Sequence, residues 1–215
     1  MSPRSENSGS GFQIECVGIL ESRVLGIRMT GLLIHSKKEI QCTMETNSIV
    51  FFNERKYPEL TDKPIIAAWQ ISNPENIGNL IRLADNLGAE DVFILGEDFQ
   101  LRLSSIKKTA RLSFSNVRLS FISPEDFFTR MNPEFQLVAI ETSEDSANLF
   151  ATRLPEKVIF LLGNEKNGLP DEILKKCPIR VHIPMTGKCK SMNVSHALAV
   201  ALFEWQRQML FFKYF

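Results

Sequence analysis

The rhythm of hydrophobic positions along the 215-residue chain changes at Pro64. Downstream, apolar runs of strand length alternate with stretches whose apolar residues recur every three or four positions. The runs Pro64–Trp69, Asp91–Leu95, Val117–Ile122, Gln136–Glu141, Lys157–Leu162 and Arg180–Ile183 predict strands. Between them, Asn76–Leu87 puts Ile77, Leu80, Ile81, Ala84 and Leu87 on one helical face, with Gly88 to end it. Pro124–Met131 and Pro170–Lys176 predict short helices that open on proline. A last helix starts at Asn193, where Val194, Ala197, Leu198, Ala201, Leu202, Trp205 and Met209 keep helical spacing and either Asn193 or Ser191 can cap the first turn. Strands alternating with helices predict an α/β fold, a mainly parallel sheet flanked by helices. Upstream, Gln13–Leu20, Gly31–His35 and Ser48–Phe52 predict short strands, so residues 13–62 are expected to form a small β-rich N-terminal segment. Residues 1–12 are Ser/Gly-rich and polar and are expected to be a disordered tail.

Composition narrows the function without choosing it. Lysine plus arginine equals aspartate plus glutamate at 25 each, so nucleic-acid binding would have to come from a local patch rather than from bulk charge. No apolar run reaches membrane-spanning length and no basic, apolar leader opens the chain, which leads us to expect a cytoplasmic protein. Cys16, Cys42, Cys177 and Cys189 show no CxxC spacing and are read as reduced thiols. With the histidines equally scattered, no metal site is expected.

Three stretches carry candidate chemistry. Asn73–Arg82, NPENIGNLIR, follows the first strand and puts Asn76, Asn79 and Arg82 on the polar side of a helix. Phe160–Gly168, FLLGNEKNG, runs an apolar strand into Gly163-Asn164-Glu165, where a glycine permits close backbone approach. Ile183-Pro184-Met185 leads through the polar Thr186–Ser191 loop, which holds Gly187, Lys188 and Lys190, into Met192-Asn193-Val194-Ser195 and the last helix with its Glu204. Strand-to-helix junctions at one edge of a parallel sheet are where such folds place ligands. A fourth feature is electrostatic: between Phe99 and Ser123 the chain has Arg102, Lys107, Lys108, Arg111 and Arg118 and no acid. That is either a solvated surface or a phosphate-contacting patch.

In order and spacing these stretches resemble the motifs of the SpoU family, TrmH-like RNA ribose 2′-O-methyltransferases of the SPOUT superfamily, over roughly Pro64–Gln208. Met192 stands where the family usually has Leu, and Arg111-Leu112 falls where it often has a Ser-Gly or Arg-Gly pair. The resemblance implies S-adenosyl-L-methionine as cofactor, RNA (tRNA slightly ahead of rRNA) as substrate, and a homodimer. It implies a C-terminal deep trefoil knot, the SPOUT α/β-knot, at about 157–208 within a 63–215 methyltransferase domain, with 13–62 as a possible RNA-binding appendage. It assigns Arg82, Asn76, Glu165 and Ser195 to catalysis. Leu161, Leu162, Gly163, Ile183, Met185, Gly187, Met192 and Asn193 would hold cofactor, and Lys107, Lys108, Arg111 and Lys188 would hold RNA. Trp205, Phe211, Phe212 and Phe215 are apolar enough to form the dimer surface. Two alternatives stay open: a non-catalytic RNA-binding relative, and a nucleotide-binding α/β enzyme, for which the chain lacks a phosphate loop.

Overall fold

The computed structural model describes residues 47–55, 60–97 and 99–214. The chain divides into two compact units, Met1–Pro58 and Glu59–Phe215. In the first, helix α1 spans Asn47–Asn53. This corrects the strand expected at Ser48–Phe52. A short apolar run fits either period, and here Phe51 and Arg55, one helical turn apart, stack with the guanidinium 4.2 Å from the ring centre. The strands expected at Gln13–Leu20 and Gly31–His35 and the tail at 1–12 lie outside the described residues.

The second unit is built on a seven-stranded sheet in the order β3-β2-β1-β6-β4-β7-β5. The strands are β1 (Ile65–Trp69), β2 (Asp91–Leu95), β3 (Arg118–Ile122), β4 (Gln136–Ile140), β5 (Ala147–Asn148), β6 (Val158–Leu162) and β7 (Ile179–His182). Every pairing is parallel. β5 has two residues, too few for a hydrophobic pattern to mark it. The helices are α2 (Pro74–Asn86), α3 (Leu103–Ala110), α4 (Ser113–Asn116), α5 (Pro124–Arg130), α6 (Asp171–Leu174) and α7 (Val194–Tyr214).

Alternation along the strands gives the sheet two apolar faces. Ile66, Phe160, Leu162 and Val181 face a core shared with Ile77, Leu80 and Ile81 of α2, Ile106 of α3 and Leu198, Leu202 and Trp205 of α7. Ala67, Leu137, Ile159 and Leu161 face the other core, closed by Phe127 of α5 and Ile173 and Leu174 of α6. Trp205 is fully buried, so it completes this unit's core and is withdrawn from the expected dimer surface. α2 starts where its cap dictates: Asn73 Oδ1 accepts from Glu75 N at 2.8 Å, and Pro74 supplies a pre-set first turn. Gly88, at φ 69°, ends it as expected.

Candidate active site

The carboxyl ends of β1, β6, β4 and β7 open on one cleft of about 720 Å³, a size suited to a nucleoside-like ligand. Leu162, Ile183, Met192 and Val194 supply apolar wall; Asn76, Thr142, Glu165 and His182 supply polar groups.

One chain of hydrogen bonds ties three distant motifs together across this cleft. The Glu165 carboxylate accepts from Ser72 N at 3.1 Å, Ser72 Oγ at 3.2 Å, Asn73 N at 3.1 Å and Asn76 Nδ2 at 3.0 Å. Asn76 Oδ1 in turn accepts from Asn193 Nδ2 at 3.1 Å. Asn193 Oδ1 then accepts from Ser195 N at 2.8 Å and Ser195 Oγ at 2.7 Å, capping α7 and choosing Asn193 over Ser191. Each amide is held from both ends, so its orientation is determined. Desolvation is the largest single influence on Glu165 and pushes its pKa up. The hydrogen bonds from Asn76, Ser72 and Asn73 together outweigh it and hold the carboxyl below its ordinary range. A carboxylate so fully engaged is a poor proton acceptor; it fastens the β6 turn to the start of α2.

The β6 turn is shaped by an internal carboxylate. Asn164 pairs with Gly168 through both backbone bonds, at 3.1 and 3.0 Å. Glu141, at the end of β4, accepts from Thr142 N at 3.0 Å and Leu169 N at 2.9 Å. A Cβ on Gly163 would lie 2.7 Å from Glu141 Oε2 and 2.6 Å from the Gly168 carbonyl carbon. A Cβ on Gly168 would lie 2.6 Å from the same oxygen, at a φ of +65°. The glycine pair therefore makes room for the protein's own Glu141 and for the Gly168 backbone, a packing role that the sequence reading of Gly163 did not include.

Of the residues assigned to cofactor, Leu162, Gly163, Ile183, Met185, Met192 and Asn193 line the cleft. Leu161 does not: one residue from Leu162 on a strand, it faces the opposite core. Gly187 stands open, with nothing within 4 Å of an added Cβ. Of those assigned to catalysis, Asn76 and Glu165 line the cleft, whereas Ser195 is buried at 4% exposure and spent on Asn193, not on Arg82. Arg82 is exposed on α2, outside this cleft, and its side chain makes no hydrogen bond or ion pair to a described residue. Lys107, Lys108, Arg111 and Lys188 are exposed. Arg118 leaves the basic patch, because the parallel register sets it beside Asp91, which it grips through two bonds of 2.7 Å. Reading the sequence missed Glu141, Thr142, Ser72 and His182; the one signal was a carboxylate directly after an apolar strand. Among the described residues no cluster of His, Cys, Asp and Glu could hold a metal ion, and no helix is long and apolar enough to cross a membrane. Cys177 is buried and Cys189 exposed, both free thiols.

The model of the SpoU rRNA Methylase family matches residues 63–203, well over half of the chain. The chain is 29% identical over 178 residues to the mouse (Mus musculus) tRNA (guanosine(18)-2'-O)-methyltransferase TARBP1, covering 79% of this chain and 11% of that protein. It is 27% identical to the Escherichia coli K12 tRNA (guanosine(18)-2'-O)-methyltransferase, covering 72% of this chain and 66% of the relative. The chain thus spans less than two-thirds of these relatives' length. Among solved structures, an AdoMet-bound rRNA methyltransferase from Sinorhizobium meliloti superposes with TM-score 0.63 at 25% identity, covering 70% of this chain and 58% of the other. A protein solved in work on 2-OH methylation of C/U34 on tRNA gives TM-score 0.63 at 27% identity, covering 69% and 97% respectively.

Proposed function

This chain belongs to the SpoU rRNA Methylase family, and on that premise we propose that it methylates ribose 2′-hydroxyls of RNA with S-adenosyl-L-methionine, with tRNA preferred over rRNA. The observation that carries the reading is the unbroken Glu165–Asn76–Asn193–Ser195 network beside a nucleoside-sized cleft. That intact network favours an enzyme over a non-catalytic relative. The tRNA preference rests on the mouse and E. coli relatives, both named for tRNA guanosine methylation.

When bound, S-adenosylmethionine supplies an electrophilic methyl group. The rest falls to the protein. Leu162, Ile183 and Met192 exclude water from the nucleoside, and backbone groups at the strand ends supply donors and acceptors. Glu165 and Asn76 hold the two loops at a fixed separation. Arg82, a permanent cation, grips a phosphate beside the reacting ribose and stabilises charge developing on its oxygen. Because Arg82 stands outside its own cleft, it serves the cleft of a second copy. That arrangement makes the protein a homodimer, and the exposed Phe203 and Phe211 of α7 support an apolar contact face. Lys107, Lys108, Arg111 and Lys188 provide further phosphate contacts.

We propose also that residues 157–208 form the trefoil knot within a 63–215 catalytic domain, residues 13–62 being an appendage. Support comes from α7, which reaches back under the segment before β6: Gln208 Oε1 accepts from Leu154 N at 2.9 Å, and Trp205 Nε1 donates to Pro155 O at 2.9 Å.

The test is transfer of labelled methyl from S-adenosylmethionine to unfractionated tRNA and to rRNA, by wild type and by Arg82→Ala. Arg82→Ala is expected to abolish transfer while cofactor affinity stays close to wild type. More than about a tenth of the wild-type rate, a loss below ~1.4 kcal/mol, would remove Arg82 from the mechanism.

A further inference from the structure

We propose that Arg82 and Arg111 together clamp a single RNA phosphate, and that Arg111 is held in a strained backbone conformation for that purpose. The inference deepens the RNA-methylation reading and rests on it.

The geometry comes from how α2 meets the segment after it. Gly78 touches the end of α3 so closely that a Cβ there would lie 2.5 Å from Thr109 Cβ. Two turns along α2, Asp85 accepts from Asn116 Nδ2 at 3.1 Å. Gly78 and Asp85 are seven residues apart and share a helix face. Arg82 lies between them on that same face, and Arg111 lies between their partners Thr109 and Asn116. The two arginines are therefore neighbours on one strip of surface, and both are exposed, neither side chain making a hydrogen bond or ion pair among the described residues. The nearby acids are occupied, Asp85 by Asn116 and Asp91 by Arg118. Lys107, one turn before Arg111, sits 5.1 Å above the Phe114 ring.

Arg111 closes α3 at φ 54°, ψ −131°, donating its N–H to Lys107 O at 2.9 Å. Backbone of this kind is nearly reserved for glycine, and other residues keep it at sites where geometry serves function. A glycine would end the helix at less cost but would bring no guanidinium. Two adjacent guanidinium groups without a carboxylate match a phosphodiester, and Arg presents the fork that grips its oxygens in pairs.

The experiment compares wild type, Arg111→Gly, Arg111→Ala, Arg82→Ala and the Arg82→Ala/Arg111→Ala double variant as full-length chains. Melting temperature is read alongside binding of unfractionated tRNA over a salt titration without cofactor. Arg111→Gly should melt roughly 2–4 °C above Arg111→Ala, because only glycine relieves the strain. Both should bind tRNA about tenfold more weakly at low salt, with the log–log salt slope shallower by about 1. If the arginines share one phosphate, the double variant loses no more slope than either single. Wild-type tRNA binding by Arg111→Gly, a slope loss of about 2 in the double variant, or an Arg111→Ala protein as stable as Arg111→Gly would each overturn the clamp. Absence of methyl transfer with these binding results intact would overturn the proposed activity instead. Failure of the wild type to bind tRNA would overturn both.

Discussion

Glu165 shows how much one side chain can organise here. Its carboxylate accepts four hydrogen bonds from Ser72, Asn73 and Asn76, and these hold its pKa below the ordinary carboxyl value despite desolvation. In the folded protein it binds a proton less tightly than in the unfolded chain. Its contribution to stability is therefore complete above the unfolded-state pKa and is lost as pH falls through the lowered one. Melting temperature should drop as pH falls from about 5 to 3, and Glu165→Gln should show a flatter fall because it has no such proton to gain. A variant whose acid limb coincides with that of wild type would mean that these donors do not hold the charge. The Gly163–Gly168 pair makes a different point at the same scale. The sequence shows a glycine at each position, but only the folded chain shows that Glu141 and the Gly168 backbone occupy the space a side chain would need.

At the scale of elements, α2 is the part most constrained by its neighbours. Replacing glycine by alanine inside an exposed helix normally stabilises it by about 1 kcal/mol. At Gly78 the sign should reverse, since the new methyl would meet the Thr109 side chain at 2.5 Å and Ile106 O at 3.0 Å. Gly78→Ala is expected to destabilise by roughly 1–3 kcal/mol, measured by chemical denaturation, and to displace the α3 surface that carries Arg111. A stabilising Gly78→Ala would show that the helices do not approach this closely. α7 is anchored just as specifically. Gln208, 5% exposed, accepts from Leu154 N and donates to Thr152 O and Glu204 Oε1. The Glu204-Trp205-Gln-Arg-Gln208 stretch thus holds the chain ahead of β6 in place, a structural task that explains those residues without reference to a substrate.

For the whole molecule, the separation of Arg82 from its own cleft sets the central expectation. On the proposed reading a complete site takes its Arg82 from a second copy, and Phe203 and Phe211, 50% and 52% exposed on α7, offer an apolar face for it. Phe203→Asp should give a folded monomer by sedimentation, with cofactor binding retained and methyl transfer lost. A monomeric Phe203→Asp protein with wild-type activity would mean that Arg82 serves the cleft of its own chain.

The parallel α/β layout, the strands from β1 to β7 apart from the two-residue β5, the glycine that ends α2 and the cap of α7 were all legible in the sequence. They depend on local periodicity and on side chains that bond their own backbone within a turn. So were the three motifs, since their letters and order survive in one dimension. What the tertiary structure decided depends on which distant groups meet. Leu161 and Leu162 differ only in the sheet face to which pleating sends them. Arg118 is basic in sequence yet neutralised by Asp91 across a strand pair. Trp205 lies on the apolar stripe of its helix, which could face a partner or the chain's own core, and is buried because that helix folds back over β6 and β4. Ser48–Phe52 has strand composition but coils, because a run that short carries no decisive period. The contacts of Gly78 with Thr109 and of Asp85 with Asn116, from which the pairing of Arg82 with Arg111 is inferred, join α2 to α3 and α4 over a sequence distance that local periodicity cannot encode.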